Sequence, residues 1–260
     1  MHLSIVVPAY NEAARIAPFL DDLAAYVATR REPTEVIVVD DGSTDATVGI
    51  VEAYRDRFPA LRIVPLPTNR GKGGAVAAGM LIATGAWRVF LDADGATPPG
   101  EIDKLLGAAI GRPRSVAIAS LRVPGAEVVR SQTALRSAAG RIGNAIIRGA
   151  VLPGVRDSQR GAKLFPGPVA DRVFEDMRTT GWAFDIDALA RCRAIGYEIV
   201  EIPVRWHHVD GGVVRPSSYL WTLCEVWSIR RSLRADGIGR HTVGAQRRRT
   251  PGLRPLRRPV

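Results

Sequence analysis

At 260 residues with 46% hydrophobic content, the chain is long enough for one large domain or two small ones with a real core. Its formal charge of +10 gathers at the end, where residues 237–260 hold seven arginines and no acid, an expected disordered tail suited to anionic headgroups as well as to nucleic acid. Cys192 and Cys224 have no Cys or His at metal-ligand spacing and read as reduced residues of a cytosolic protein, no signal peptide precedes Leu3–Val7, and the apolar runs Ala75–Ala83 and Ala145–Val155 do not make a spanning helix.

Leu3–Val7 is a predicted strand, stopped by Pro8-Ala9-Tyr10-Asn11-Glu12, with a helix expected over roughly 13–29. Glu35–Val39 is a second strand running into Asp40-Asp41-Gly42-Ser43-Thr44-Asp45. There Ser43 or Thr44 is placed to cap a helix near 45–57, with Asp45 in its first turn. Arg62–Pro65 is a third strand. Asn69-Arg70-Gly71-Lys72-Gly73-Gly74 opens a small-residue helix to about Thr84, and Ala86–Leu91 is a strand ending in Asp92-Ala93-Asp94-Gly95-Ala96-Thr97. A helix near 98–110 and a strand at Ser115–Ser120 complete a strand–helix alternation that implies a parallel sheet.

The second half is less regular. Thr133–Gly149, Pro168–Arg178 and Ala183–Ile195 have helical spacing, Asp157–Phe165 reads as a loop and short strand, and Glu198–Val204 is a last strand. His207-His208 read as structural or surface residues, since adjacent strand positions point to opposite faces. Pro216–Arg234 is a final helix with Leu220, Leu223, Cys224 and Trp227 on one arc. Its aromatics and terminal arginines suit either a membrane interface or a helix packed on the domain.

Three polar clusters, Pro8–Glu12, Asp40–Asp45 and Asp92–Thr97, follow strand ends, and loops at the carboxyl edge of one parallel sheet converge. Asp92 and Asp94 both face one divalent cation if the chain turns after the strand, as Gly-Ala-Thr-Pro-Pro favours, which reads as a metal site for a diphosphate. The alternative is an Asp-Gly turn that only ends a strand. Asn69–Gly74 lacks Gly-x-x-x-x-Gly-Lys-[Ser/Thr], yet backbone amides at a glycine-rich helix start, with Arg70 or Lys72, would suit a diphosphate.

The set Val6-Val7-Pro8-Ala9-Tyr10-Asn11-Glu12, Val39-Asp40-Asp41-Gly42-Ser43-Thr44-Asp45, Asn69-Arg70-Gly71-Lys72-Gly73 and Asp92-Ala93-Asp94-Gly95 resembles the family 2 glycosyltransferases with the GT-A fold. Asp157-Ser158-Gln159-Arg160-Gly161-Ala162-Lys163-Leu164-Phe165 and Gly181-Trp182-Ala183-Phe184-Asp185 resemble the polyprenyl-phosphate hexosyltransferases, especially the dolichyl-phosphate β-glucosyltransferase branch. The resemblance covers about residues 3–232. Arg160 stands where that branch usually has a small residue, and Ala162 where it has an aromatic.

The resemblance implies an α/β GT-A catalytic domain over 1–215 with a mostly parallel central sheet. Its nucleotide-sugar half is about 1–120 and its acceptor half about 121–215; an amphipathic helix at 216–235 and a tail at 236–260 follow. The implied reaction is inverting, metal-dependent transfer of a hexose, UDP-glucose being the first choice of donor, to a polyprenyl phosphate. Another sugar (N-acetylgalactosamine, galactose, mannose) or a soluble or protein acceptor is the alternative. Pro8, Tyr10 and Glu12 would line the base pocket, Asp40 or Asp41 would accept from uracil or ribose, and Asn69 and Lys72 would serve the donor. Asp92, Ala93 and Asp94 would complete that site, with Asp92 and Asp94 holding Mg²⁺ or Mn²⁺ and Asp94 catalytic. Arg122, Arg136, Gln159 and Lys163 are the implied acceptor-phosphate residues, with Arg130 as competitor. Asp185 orients the sugar or acts as a base, unless it is only a helix N-terminal acid. Peripheral contact through 216–260 with the cytoplasmic face of the plasma membrane is expected, and no nucleic-acid partner.

Overall fold

Runs of aliphatic residues with no polar interruption need cover on both faces, and they set the frame of the molecule. A computed structural model describes residues 2–112, 114–130, 143–209 and 216–235. Every residue of β1 (Leu3–Ala9) and β2 (Thr34–Asp40) is buried, and β3 (Leu61–Pro65), β4 (Trp87–Leu91), β5 (Ser115–Ser120), β7 (Ala162–Pro166) and β8 (Glu198–Pro203) join them. The seven strands run in the order β3-β2-β1-β4-β7-β5-β8. All pairings are parallel except those of β7, which is antiparallel to both β4 and β5.

Two features of this topology place the site. β1 pairs with β2 on one side and β4 on the other, so the strand order reverses there and a crevice opens beyond their carboxyl ends. Because β7 runs backwards, Ala162 sits opposite Leu91, and the loop before it arrives at the same edge as the acids after β4.

Alternating side chains feed two cores. Val6, Ile37, Val39, Phe90 and Phe165 pack under α3 (Lys72–Ile82), α6 (Gly167–Asp176) and α7 (Phe184–Ala194). Ile5, Val7, Val36, Val89 and Leu91 pack under α1 (Ile16–Thr29) and α4 (Glu101–Ile110), with α2 (Thr47–Ala53) contributing Val51. Phe90 stacks on Phe165 at 6.4 Å and meets Phe184 at 5.5 Å, while Phe165 meets Phe174 edge-on at 5.3 Å. Each such pair contributes roughly 0.5–1.5 kcal/mol beyond area burial.

Several expectations need correction. Ser43 and Thr44 do not cap α2: its N-cap is Ala46, and Ser43 Oγ instead accepts from Asn11 N at 2.9 Å. The helix expected from 13 starts at Ile16, because Glu12 N and Ala13 N donate to Thr47 Oγ1 and Asp45 Oδ2 rather than opening a helix. A small parallel sheet of β6 (Glu127–Arg130) and β9 (Arg205–His207) was not anticipated, being too short for a periodic signal. Of the helix expected over 133–149, only α5 at 143–150 lies within the described residues. In α8 (Pro216–Ala235) the inward face carries Val226, Ile229 and Leu233, whereas Cys224 and Trp227 are exposed. Glu225 on the same side ties the helix to the start of α7, its Oε2 accepting from Ala183 N at 2.9 Å over Gly181. The side chains of Leu220 and Leu223 lie outside the described residues. Among the described residues no helix is long and apolar enough to cross a membrane.

Gly79 of α3 rides directly on β1, where an added Cβ would overlap Val6 Cγ1, while Gly107 of α4 faces open space. Gly79→Ala is therefore expected to lower unfolding free energy in urea by about 1–3 kcal/mol. Gly107→Ala should raise it by about 0.5–1 kcal/mol. Indistinguishable midpoints for the two variants would contradict this packing.

Candidate active site

The crevice is built by lacing three loops together. Asn11, in the left-handed region at φ 52°, accepts from Thr44 N at 2.9 Å through Oδ1 while its own amide donates to Ser43. Asp40 accepts from Ser43 N at 3.3 and 3.2 Å, closing its own turn. Asp41 Oδ1 accepts from Arg70 N at 2.7 Å and draws in the third loop, and burial raises this carboxyl's pKa. Asn69 Oδ1 accepts from Gly71 N at 3.0 Å. Both aspartates thus spend oxygens on loop backbone, beneath an exposed rim that includes Tyr10 and Asn69; Pro8 is buried at the end of β1.

The glycine-rich helix start does not present its amides to a ligand. Gly73 N and Gly74 N donate to Thr180 O at 2.8 and 3.3 Å, and a Cβ on Gly73 would come within 2.5 Å of Phe184 Cβ. The glycines serve close packing of the 179–184 segment, which corrects the expected diphosphate cradle. What the glycine-rich helix start does deliver is the Lys72 side chain. Its Nζ lies 2.6 Å from Asp92 Oδ1 and 5.9 Å from the Trp182 ring centre. Burial alone would lower the pKa of this ammonium, but the carboxylates of Asp92, Asp185 and Asp94 outweigh it and hold the value above normal.

Asp94 and Asp92 stand side by side after β4, with Ala93 buried between them. Asp94 Oδ1 accepts from Ala96 N at 3.0 Å, and burial together with the Asp92 charge raises its pKa. Glu12 faces the same acids: burial lifts its pKa, Arg15 offsets part of that, and Asp94 and Asp92 add to it. Arg15 Nη2 lies 2.6 Å from Glu12 Oε2. Neither Glu12 Oε2 nor Asp92 Oδ1 has a hydrogen bond of good direction, so each faces a cation by charge contact only. Gly161 backs onto this carboxylate so closely that a Cβ there would overlap Asp92 Oδ2.

Deeper, Lys163 and Asp185 form a second pair, Nζ to Oδ1 at 2.8 Å. Lys163 is fully enclosed, donates to Arg160 O at 2.5 Å and lies 5.2 Å from the Phe90 ring centre. Burial lowers its pKa against the pull of Asp185; burial raises that of Asp185 against Lys163 and Lys72. Asp185 sits in the first turn of α7, where the helix dipole favours an acid. The expectation that Lys163 meets an acceptor phosphate directly fails on geometry, since Nζ is buried behind Arg160 and Asp185.

On the far side Arg122 leaves β5 with its amide on Ser120 Oγ at 3.1 Å, and its guanidinium faces Asn144. Turned oxygen-first, that carboxamide accepts from Nε and Nη2 at 3.2 Å each. Gln159 is exposed on the adjoining loop. Arg136 and the side chain of Arg130 lie outside the described residues. Sequence reasoning missed Glu201, which accepts from Ser120 Oγ (2.8 Å), Asp157 N (2.9 Å) and Arg156 N (2.8 Å) and so fixes the loop carrying Gln159. Nothing local in a β8 glutamate signals this, because the partners arrive through strand pairing. Trp182, quoted within Gly181–Asp185 but given no site role, stands exposed beside Lys72.

Among the described residues no group of three or more His, Cys, Asp or Glu is gathered for a metal ion. The protein offers the paired carboxylates of Asp92 and Asp94, with Asp92 Oδ1 short of a hydrogen bond and with burial and the Asp92 charge holding the Asp94 pKa above normal. Such hard oxygen donors fit a divalent cation whose remaining ligands come from a bound phosphate and water.

Comparisons with known proteins give the family. Residues 4–172 match the family described as Glycosyl transferase family 2. The chain is 35% identical over 228 residues to the dolichyl-phosphate beta-glucosyltransferase of Drosophila melanogaster, spanning 83% of this chain and 70% of that one. It is 31% identical over 236 residues to the Dictyostelium discoideum protein of the same name, spanning 84% and 70%. The crystal structure of mannosyl-3-phosphoglycerate synthase from Rubrobacter xylanophilus superposes with a TM-score of 0.65 over 98% of this chain and 79% of that one, at 20% identity, a likeness of fold. On the match across most of the catalytic domain and on relatives at this identity, the chain belongs to glycosyl transferase family 2 and is a glycosyltransferase.

Proposed function

We propose that the enzyme moves glucose from UDP-glucose to the phosphate of a polyprenyl lipid, inverting the anomeric carbon. The observation that carries this reading is the row Asp94, Asp92, Lys72 and Asp185 at the switch point, in a chain whose relatives are named for glucosyl transfer to dolichyl phosphate. Pro8, Tyr10, Glu12, Asp40, Asp41 and Asn69 form the nucleoside wall, with Asp40 and Asp41 shaping it through the loops they hold. Lys72 turns its ammonium from Asp92 toward the diphosphate. Asp92 and Asp94 are the residues to hold Mg²⁺ or Mn²⁺. When bound, such a cation supplies neutralisation of the charge gathering on the departing UDP.

A phosphomonoester has a second pKa near 6, so the attacking oxygen is already largely charged and asks little of a general base. That oxygen forms the new bond to the anomeric carbon as the carbon–oxygen bond to the diphosphate breaks, and the electron pair leaves with UDP. Positioning is then the main demand. Arg122, with Gln159 and Arg136, receives the acceptor phosphate; Asp185 orients the sugar; Lys163 is a positioning residue that holds Asp185. On α8, Trp227 is 62% exposed with Arg230 packed 5.6 Å from its ring centre. This pairing supports peripheral seating of α8 in a headgroup layer on the cytoplasmic face of the plasma membrane.

Purified protein given polyprenyl phosphate and a panel of UDP-glucose, UDP-galactose, UDP-N-acetylgalactosamine and GDP-mannose should yield lipid-linked glucose. A different lipid-linked sugar would overturn the donor assignment. Asp94→Asn should lower transfer by about a hundredfold or more, and full activity of that variant in EDTA would contradict the role of the pair. Lys163→Met strands a buried carboxylate and should cost about 3–5 kcal/mol of stability. Most of that loss should return in Lys163→Met/Asp185→Leu without return of activity. Wild-type stability of the single variant would show that the pair is not a buried ion pair in solution.

A further inference from the structure

With Lys163 enclosed, the acceptor side of the crevice is short of the cation assigned to it, and a different cation stands at its mouth. Arg160 immediately precedes Gly161, the glycine packed against the Asp92 carboxylate. Arg160 Nε donates to Asp157 Oδ2 at 3.2 Å, and its guanidinium carbon lies 5.1 Å from the Trp206 ring centre. Among the described residues no protein acceptor takes its Nη1 or Nη2 protons, and its side chain is 27% exposed.

The support beneath it is rigid. The Asp157 side chain is 2% exposed, its amide is held by Glu201, and the same Oδ2 that receives Arg160 also accepts from Leu121 N at 3.0 Å. One buried carboxylate therefore orients Arg160 and anchors the strand end that carries Arg122. Trp206 is in turn placed by β9, whose His207 N donates to Ala96 O at 3.0 Å in the loop after Asp94. The result is a guanidinium fixed along one edge and one face, beside the carboxylate row, with its terminal nitrogens uncommitted.

We infer that Arg160 binds the phosphate of the acceptor, its Nη1 and Nη2 donating to two phosphate oxygens beside the carboxylate row. The inference rests on the proposed reading of the acceptor as a lipid phosphate. A planar fork pre-oriented in this way matches two phosphate oxygens, while an uncharged alcohol would gain little from it. It also gives a physical role to the position at which the chain departs from the glucosyltransferase pattern: a charged fork where a small residue would leave space.

The test is steady-state kinetics on the full chain with UDP-glucose and polyprenyl phosphate, comparing wild type, Arg160→Gln and Arg160→Lys. Arg160→Gln should raise KM for the lipid phosphate about tenfold to a hundredfold. KM for UDP-glucose and the slow hydrolysis of UDP-glucose by water without acceptor should stay as in wild type. Arg160→Lys keeps the charge but loses the fork, and should show a smaller rise; if Arg160→Gln does not fold, this variant carries the same comparison. Inorganic phosphate should compete with the lipid in wild type and less well in Arg160→Gln, which separates recognition of the phosphate from recognition of the polyprenyl chain. An unchanged lipid KM, or a parallel loss in donor KM and hydrolysis, would overturn the inference. Failure of wild type to load any polyprenyl phosphate would instead overturn the functional reading on which it rests.

Discussion

The mouth of this sheet depends on holding several like charges in a small, water-poor space. Glu12, Asp92, Asp94 and Asp185 converge there, and at an effective dielectric of about 20 two unit charges 4 Å apart interact by roughly 4 kcal/mol. The protein meets this by alternating sign: Arg15 on Glu12, Lys72 on Asp92, Lys163 on Asp185. Asp94 has a backbone amide at its carboxylate instead, and burial and the Asp92 charge raise its pKa in spite of that amide. The row therefore carries negative charge in excess of its fixed cations, which is the condition for taking up a divalent ion together with a donor. Close approach is what makes the alternation possible. Gly161 lets a loop back onto Asp92, and Gly73 lets α3 sit against Phe184 so that Lys72 reaches the acids.

Much of this frame was legible in the residues. Buried parallel strands appear as unbroken apolar runs that stop at polar turns, so β1, β2 and β4 and the acids beyond them could be read directly. The convergence of Pro8–Glu12, Asp40–Asp45 and Asp92–Thr97 followed from the topology those strands imply. What failed were assignments decided by partners far away in sequence. Ser43 has the look of a helix cap, but the amide of Asn11, 32 positions earlier, captures its hydroxyl. Lys163 reads as a free cation until β7 is seen between β4 and β5 with α7 above it, and then its place in Ala162–Phe165 is that of a core strand residue. The arc read for α8 passed over Val226, Ile229 and Leu233, whose spacing is itself that of a helical face and which pack inward beside the anchored carboxylate of Glu225.

Membership in glycosyl transferase family 2 gives the scaffold its chemistry, and the particular charges give it a direction. On the proposed reading one wall, tied by Asp40 and Asp41, would face the nucleoside. The opposite wall, tied by Glu201 and Asp157, holds Arg122 and Arg160. Between them lies the carboxylate row, so a diphosphate and an acceptor phosphate would approach each other from opposite sides of the same acids. On that reading their mutual repulsion would oppose the reaction, and the cations on each wall would lower it.

The central claim is that Asp92 and Asp94 couple divalent-cation binding to the nucleoside diphosphate. Isothermal titration of UDP into wild type and Asp92→Asn, each with Mn²⁺ and with EDTA, measures that coupling without any acceptor present. The account predicts that Mn²⁺ tightens UDP binding about tenfold or more in wild type and that the gain disappears in Asp92→Asn. Equal UDP affinity with and without Mn²⁺ in both proteins would contradict it.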